Sequence, residues 1–219
     1  PRFFFSTPTT DSPILSGLVG SEMCIRDRFI SRAFSLANQN KLAVHAHCNE
    51  GKHEGLWCEE NHGIRPLELY ETLGLASSNF IASQCVHLSK KEIEIIKNLD
   101  IKVTHMPLAN CEVGGGIAPI PELIDAGVTV GLGSDGYIND FYEVMRGAFL
   151  IHKARLQDPG VMSASTVLDM ATLGGAKALG LEKVGKLESG YSADLQLIDA
   201  KFPTPLTSEN IFEQIVLWR

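Results

Sequence analysis

At 219 residues, 44% hydrophobic and 21% charged, the chain is long enough to bury a core and has the make-up of one large globular domain, or of one large and one small. Its formal net charge of −7 argues against a nucleic-acid partner, which calls for clustered Lys and Arg, and suits a small neutral or cationic substrate better. The five cysteines, Cys24, Cys48, Cys58, Cys85 and Cys111, form no CxxC pair or zinc-finger spacing, which points to reduced thiols in the cytoplasm, and no apolar run approaches the roughly 20 residues that span a bilayer.

In chain order, residues 1–28 come first. Their Phe3, Phe4 and Phe5 cluster lacks the basic, apolar and small-residue order of a signal peptide. Residues 16–27 resemble a translated sequencing-adapter read, so 1–28 is expected to be a non-native or disordered leader with few contacts. From Phe29 onward, short β-branched or apolar runs alternate with stretches of helical period, the pattern of β-α units on a parallel sheet. The periodicity predicts helices over 29–38, 65–73, 89–98, 118–126 and 141–156, and strands over 42–46, 79–83, 101–104 and 128–132. Ser89 followed by Glu92 is a capping box. A further helix opens at Ser163 and runs to about Thr172. Four β-α units are half of a (β/α)8 barrel, and barrels carry their chemistry at the C-terminal ends of the strands.

After the first predicted strand come His45, His47 and Glu50, an imidazole at a strand end with a carboxylate three residues on, as in a metal ligand beside an acid-base group. A hydrogen-bonded structural histidine would read the same way. Zincin spacing is absent around His47 and around His53-Glu54. After the fourth strand, Gly131-x-Gly133-x-x-Gly136 matches a dinucleotide fingerprint by letter. Asp135 would set an anion inside the phosphate cradle, so it fits better as a carboxylate held out at a strand end by flexible glycines. A dinucleotide-binding module therefore stands as the weaker alternative.

The ordered series His47-x-x-Glu50, Cys85-Val86-His87-Leu88, Thr104-His105-Met106-Pro107-Leu108-Ala109-Asn110, Gly115-Gly116-Ile117-Ala118-Pro119 and Gly131-Leu132-Gly133-Ser134-Asp135-Gly136 resembles the amidohydrolase superfamily. The likeness is to its branch of guanine, cytosine-like, adenosine-type and triazine aminohydrolases. Residues 185–198 resemble that family's return to a small β-sandwich domain.

The resemblance implies the C-terminal half of a (β/α)8 barrel over 29–180 and the start of a small β domain over 181–219. It implies hydrolysis of non-peptide C–N bonds, as in deamination of a nucleobase, nucleoside or related heterocycle, with one divalent ion, zinc or iron, in the full-length parent. His47 matches the metal-binding histidine of strand 5. Glu50 matches the glutamate that shuttles a proton to the ring and the leaving amine. Asp135 matches the strand-8 aspartate that touches the metal and serves as general base. Gln84 stands where the family usually has a histidine facing the hydrolytic water, and an amide cannot take up a proton at neutral pH. Asn110 and residues 114–116 match a loop near the pocket.

No first-strand His-x-His is present, so two expected ligands are missing and the chain as given is expected to be inactive alone. The implied partner is a small heterocyclic substrate, without nucleic acid or membrane, and with a homo-oligomer left open. A non-catalytic, ligand-binding barrel is the alternative.

Overall fold

The computed structural model describes residues 27–136, 138–199 and 201–219. Helix α1, Asp27–Gln39, starts the described chain and takes in two residues assigned above to the leader; residues 1–26 of that leader lie outside the described residues. α1 turns Phe34 and Ala37 inward, one turn apart, and Phe34 meets Phe80 edge-on at 5.3 Å and Tyr70 at 6.4 Å. Burying a ring of this size contributes on the order of 1.5–3 kcal/mol.

Four strands follow: β1 Val44–Cys48, β2 Phe80–Gln84, β3 Lys102–His105 and β4 Val130–Leu132. They form one parallel sheet in the order β1-β2-β3-β4, with helices α2 Lys52–His62, α3 Pro66–Thr72, α4 Lys90–Asn98, α5 Pro107–Glu112 and α6 Ile120–Asp125 in the crossovers. This is the α/β, half-barrel arrangement read from the sequence. Register puts Ala46, Ala82, Val103 and Val130 in one row against the helices, and His47, Ser83, Thr104 and Gly131 in the alternate row on the inner face. On that inner face Ser83 Oγ accepts from Thr104 Oγ1 at 3.2 Å, and Thr104 Oγ1 lies 3.2 Å from His45 Nε2.

The strands begin one or two residues later than the sequence predicts; the first three also end one or two residues later, and β4 ends at Leu132 as predicted. Asn79, expected inside a strand, instead turns its amide back to the Leu42 carbonyl at 3.1 Å. α2 was not predicted, because only Glu54, Gly55 and Cys58 of its eleven residues are buried and Leu56 faces solvent, so no apolar stripe marks it. α4 carries the expected capping box: Glu92 N–H donates to Ser89 Oγ and Ser89 N–H donates to Glu92 Oε2.

Helix α7, Phe141–Leu156, has the predicted bounds; Asp140 caps it by accepting from Tyr142 N–H at 3.0 Å. The helix opening at Ser163 is α8, Ala164–Asp169, continued by a π-helical turn over Met170–Gly174 and by α9, Gly175–Ala178. That turn and α9 pack on β4. A Cβ on Gly174 would fall 2.2 Å from the carbonyl oxygen of Val130, a group that points away from β3 because its neighbours Thr129 and Gly133 make the bonds to β3.

Residues 181–219, expected to open a small β domain, form no strand among those described. A strand needs a partner edge, and this segment pairs with none of the described strands; Leu187 and Leu197 lie 85% and 95% exposed. Its regular element is α10, Ile211–Trp218, which buries Val216 against α7 and α8 and whose last carbonyls accept from Arg146.

Candidate active site

Gln84 and Asp135 meet at the C-terminal ends of the strands. Gln84 Nε2 donates to Asp135 Oδ2 at 2.8 Å. Gln84 ends β2 and Asp135 follows β4, so the bond passes over the end of β3. In a flat sheet alternate strands stand about 9.5 Å apart. A glutamine and an aspartate side chain reaching toward each other span that distance over the end of β3.

The backbone at these strand ends is unusual. Asn49, Gln84, Cys85 and Asp135 all have positive φ, between 51° and 73°, without being glycine. At Gln84, φ is +73° and Cys85 N–H donates to the Ser83 carbonyl at 2.9 Å, which closes a γ-turn of the strained hand. Strict alternation would leave Gln84 in the outward row with Phe80 and Ala82. The turn redirects it toward Asp135. Such left-handed residues cost about 1–3 kcal/mol each and collect at functional sites.

His47 is half-buried and lies opposite Ser83 on the inner row, next to the Cys48–Gln84 pair. Glu50 is half-buried in the loop between β1 and α2, where its backbone N–H donates to Glu54 Oε2 at 3.0 Å. Burial pushes the Glu54 carboxyl above its usual value, against the lowering effect of the backbone bonds. The structure thus joins Gln84 to Asp135 directly. It places His47 and Glu50 at the same strand ends, with no side-chain hydrogen bond or ion pair to that couple among the described residues. Nor do the described residues hold any group of three His, Cys, Asp or Glu side chains able to take a metal ion.

A neighbouring network was not foreseen. The buried Glu92 carboxylate accepts from Arg65 Nε at 2.7 Å, Asn49 Nδ2 at 2.9 Å, Ser89 N–H at 2.8 Å and Leu67 N–H at 3.3 Å. Arg65 also donates to the His87 carbonyl at 2.5 Å and to Asn49 Oδ1 at 3.3 Å. Asn49 directly precedes Glu50, so the network anchors the loop that carries that carboxylate. The Ser89–Glu92 spacing was the only sequence signal for it. His87 is structural: its Nε2 lies 2.9 Å from the Gly115 carbonyl, and burial lowers its pKa. That contact ties the 114–116 turn to the loop after β2. Asn110 is buried, and neither polar atom of its side chain has a partner among the described residues.

The glycine loop after β4 is no phosphate cradle. A Cβ on Gly131 would meet the Gly175 backbone at 3.1 Å and one on Gly133 the Met106 side chain at 3.0 Å, so this face is filled by protein. The next helix starts only at Phe141, beyond the reach of a loop that must open directly into a helix N-terminus.

A parallel sheet with imidazole, amide and carboxylate groups at its strand ends defines a barrel-type α/β protein whose site lies on the C-terminal face. The chain belongs to the amidohydrolase family, whose model matches residues 21–215. It is 38% identical over 192 residues to the 5'-deoxyadenosine deaminase of Methanococcus aeolicus, covering 85% of this chain and 45% of that protein. It is 37% identical over 179 residues to a 5-methylthioadenosine/S-adenosylhomocysteine deaminase of Nitratidesulfovibrio vulgaris, covering 80% and 40%. Among solved structures, an adenosine deaminase from Xanthomonas campestris with bound zinc superposes with a TM-score of 0.83 at 32% identity, over 87% of this chain and 45% of that one. The chain spans less than half the length of the curated relatives it matches.

Proposed function

We propose that this chain forms the C-terminal half of a hydrolase that deaminates an adenosine derivative. The observation that carries the reading is its likeness, over about four fifths of its length, to proteins named as deaminases of such compounds. In the reaction, water oxygen replaces the amino nitrogen on a ring carbon: C–NH2 plus H2O gives C=O, a ring N–H and NH3. In this reading Asp135 takes a proton from the attacking water, and Glu50 delivers one to the ring nitrogen and the leaving amine. Gln84 holds Asp135 through its amide N–H and neither takes up nor releases a proton in the reaction.

A divalent ion, zinc by analogy with the Xanthomonas structure, is the cofactor proposed for the whole protein. The described residues do not complete a site for it. His47 and Asp135 are two candidate donors, against the three protein ligands and open position typical of catalytic zinc. The protein is proposed to be cytoplasmic and to act without nucleic acid or membrane. The free thiols of Cys48, Cys85 and Cys111 accord with a reducing compartment, and no described helix is long and apolar enough to cross a bilayer.

The test is ammonia release from 5'-deoxyadenosine, 5-methylthioadenosine, adenosine and guanine by the full-length gene product. Turnover of an adenosine derivative, abolished by Asp135→Asn, supports the reading. Metal retained at one per chain with no turnover of any of them would favour a ligand-binding barrel instead.

A further inference from the structure

We infer that Gln84 is a bifunctional positioning residue: its amide N–H fixes Asp135, and its carbonyl oxygen is held for a hydrogen-bond donor on the ligand, the amino group of an aminopurine. The inference rests on the deaminase reading for the identity of that ligand. Its first support is the orientation of the amide. A carboxylate only accepts, so the Gln84 atom 2.8 Å from Asp135 Oδ2 must be Nε2, and Oε1 is the atom left over. The second is what surrounds Oε1. Gln84 is fully buried, and among the described residues no donor reaches Oε1. A buried acceptor without a partner costs about 1–3 kcal/mol. The third is that this cost is combined with a strained γ-turn at the same residue, one amide width from the carboxylate the turn serves. Neither cost improves the packing of β2. A donor supplied by the ligand removes the first of them and gives the second a purpose.

The chemistry of the reaction sharpens the role. An aminopurine presents an NH2 donor where the product presents a carbonyl acceptor. Oε1 therefore pairs with the substrate and faces a like group in the product, so it favours binding before hydrolysis and release after it. A titrating imidazole at this position would present either character; a glutamine held by Asp135 presents only the acceptor.

Two measurements on the chain test this. In 15N-edited NMR, the Gln84 side-chain NH2 is expected to exchange with solvent about tenfold more slowly than that of the exposed Gln157, and Asp135→Ala is expected to abolish the difference. Equal exchange in the unaltered chain overturns the Asp135 contact. In equilibrium binding, adenosine is expected to bind about tenfold more tightly than purine ribonucleoside, which lacks the amino group, because a buried acceptor is left unpaired by the latter. Gln84→Met is expected to erase that preference, the ratio of the two affinities falling to about one.

A preference that survives Gln84→Met overturns the donor assignment. Equal affinity for the two nucleosides in the unaltered chain also overturns it and leaves the deaminase reading standing. Binding of neither overturns the ligand assignment for this chain, while turnover by the full-length gene product decides the deaminase reading and the exchange measurement decides the Asp135 contact. If Gln84→Met does not fold, the comparison in the unaltered chain decides alone.

Discussion

Glu92→Gln is close to isosteric, yet it is expected to be strongly destabilising. All four groups that reach the Glu92 carboxylate are donors: Arg65 Nε and Ser89 N–H on Oε2, Asn49 Nδ2 and Leu67 N–H on Oε1. An amide has one acceptor atom, so its NH2 must face two N–H groups in a site with no exposure to water. Losing the capping box costs about 1 kcal/mol. Leaving a charged partner poorly compensated in a buried pair costs about 3–5 kcal/mol, discounted here because the Arg65 side chain is 23% exposed and keeps Glu59 as a second partner. A net loss of about 3 kcal/mol follows. Urea unfolding, monitored by far-UV circular dichroism, should show this as a lower midpoint with an unchanged slope. Arg65→Met should then lose much less in the Glu92→Gln background than in the unaltered chain. A loss under about 1 kcal/mol, or additive single effects, would refute the argument that the network acts as one unit.

Stability should also fall on mild acidification through the His105–His152 pair, whose Nε2 atoms lie 3.0 Å apart between β3 and α7. Burial holds both below their ordinary value, His152 at about 4 and His105 by a wide margin, with the Arg155 charge adding to burial in both, the His152 charge in His105, and Glu122 opposing at His152. The unfolded chain therefore binds more protons below about pH 6.5, and stability is full above that value and lost as pH falls toward 4. From pH 7 to 5, His152 alone should remove about 2 kcal/mol; a double His105→Leu, His152→Leu variant should flatten this slope, and an unchanged urea midpoint between pH 7 and 5 in the unaltered chain would count against it. Gly174→Ala should cost more than about 3 kcal/mol in thermal unfolding, since the new methyl meets the Val130 carbonyl and backbone must shift; a neutral result would mean the contact is looser than described. The purified chain should keep well under one zinc per molecule by elemental analysis, given two candidate donors among the described residues, and stoichiometric zinc would sink the count of ligands.

The parallel sheet was legible because its strands are short apolar runs set between amphipathic helices, and α7 was bounded correctly because Asp140 caps a long stretch of helical period. α2 was hidden, since a helix that buries two small residues and a glutamate has no apolar stripe to read. Of the site, the positions of His47, Glu50, Gln84 and Asp135 near strand ends followed from local pattern together with the family likeness. Their mutual geometry did not. The bond between Gln84 and Asp135 joins residues 51 apart across an intervening strand, and it depends on a γ-turn that no residue near Gln84 announces. The Glu92 network was half visible: Ser89 and Glu92 are neighbours in sequence, whereas Asn49 and Arg65 reach the same carboxylate from different loops.

The close seating of Gly174 on the Val130 carbonyl bears on how copies of this chain could associate. A sheet with two bare margins can recruit neighbours on both sides and grow without limit. Here the margin beyond β4 is occupied by the backbone of the π-helical turn, and among the described strands none pairs with the far side of β1. Recruitment is thereby confined to one side. Two copies meeting through β1 would satisfy each other about a two-fold axis and leave nothing further to add, so self-association by strand pairing ends at a closed pair instead of a fibre.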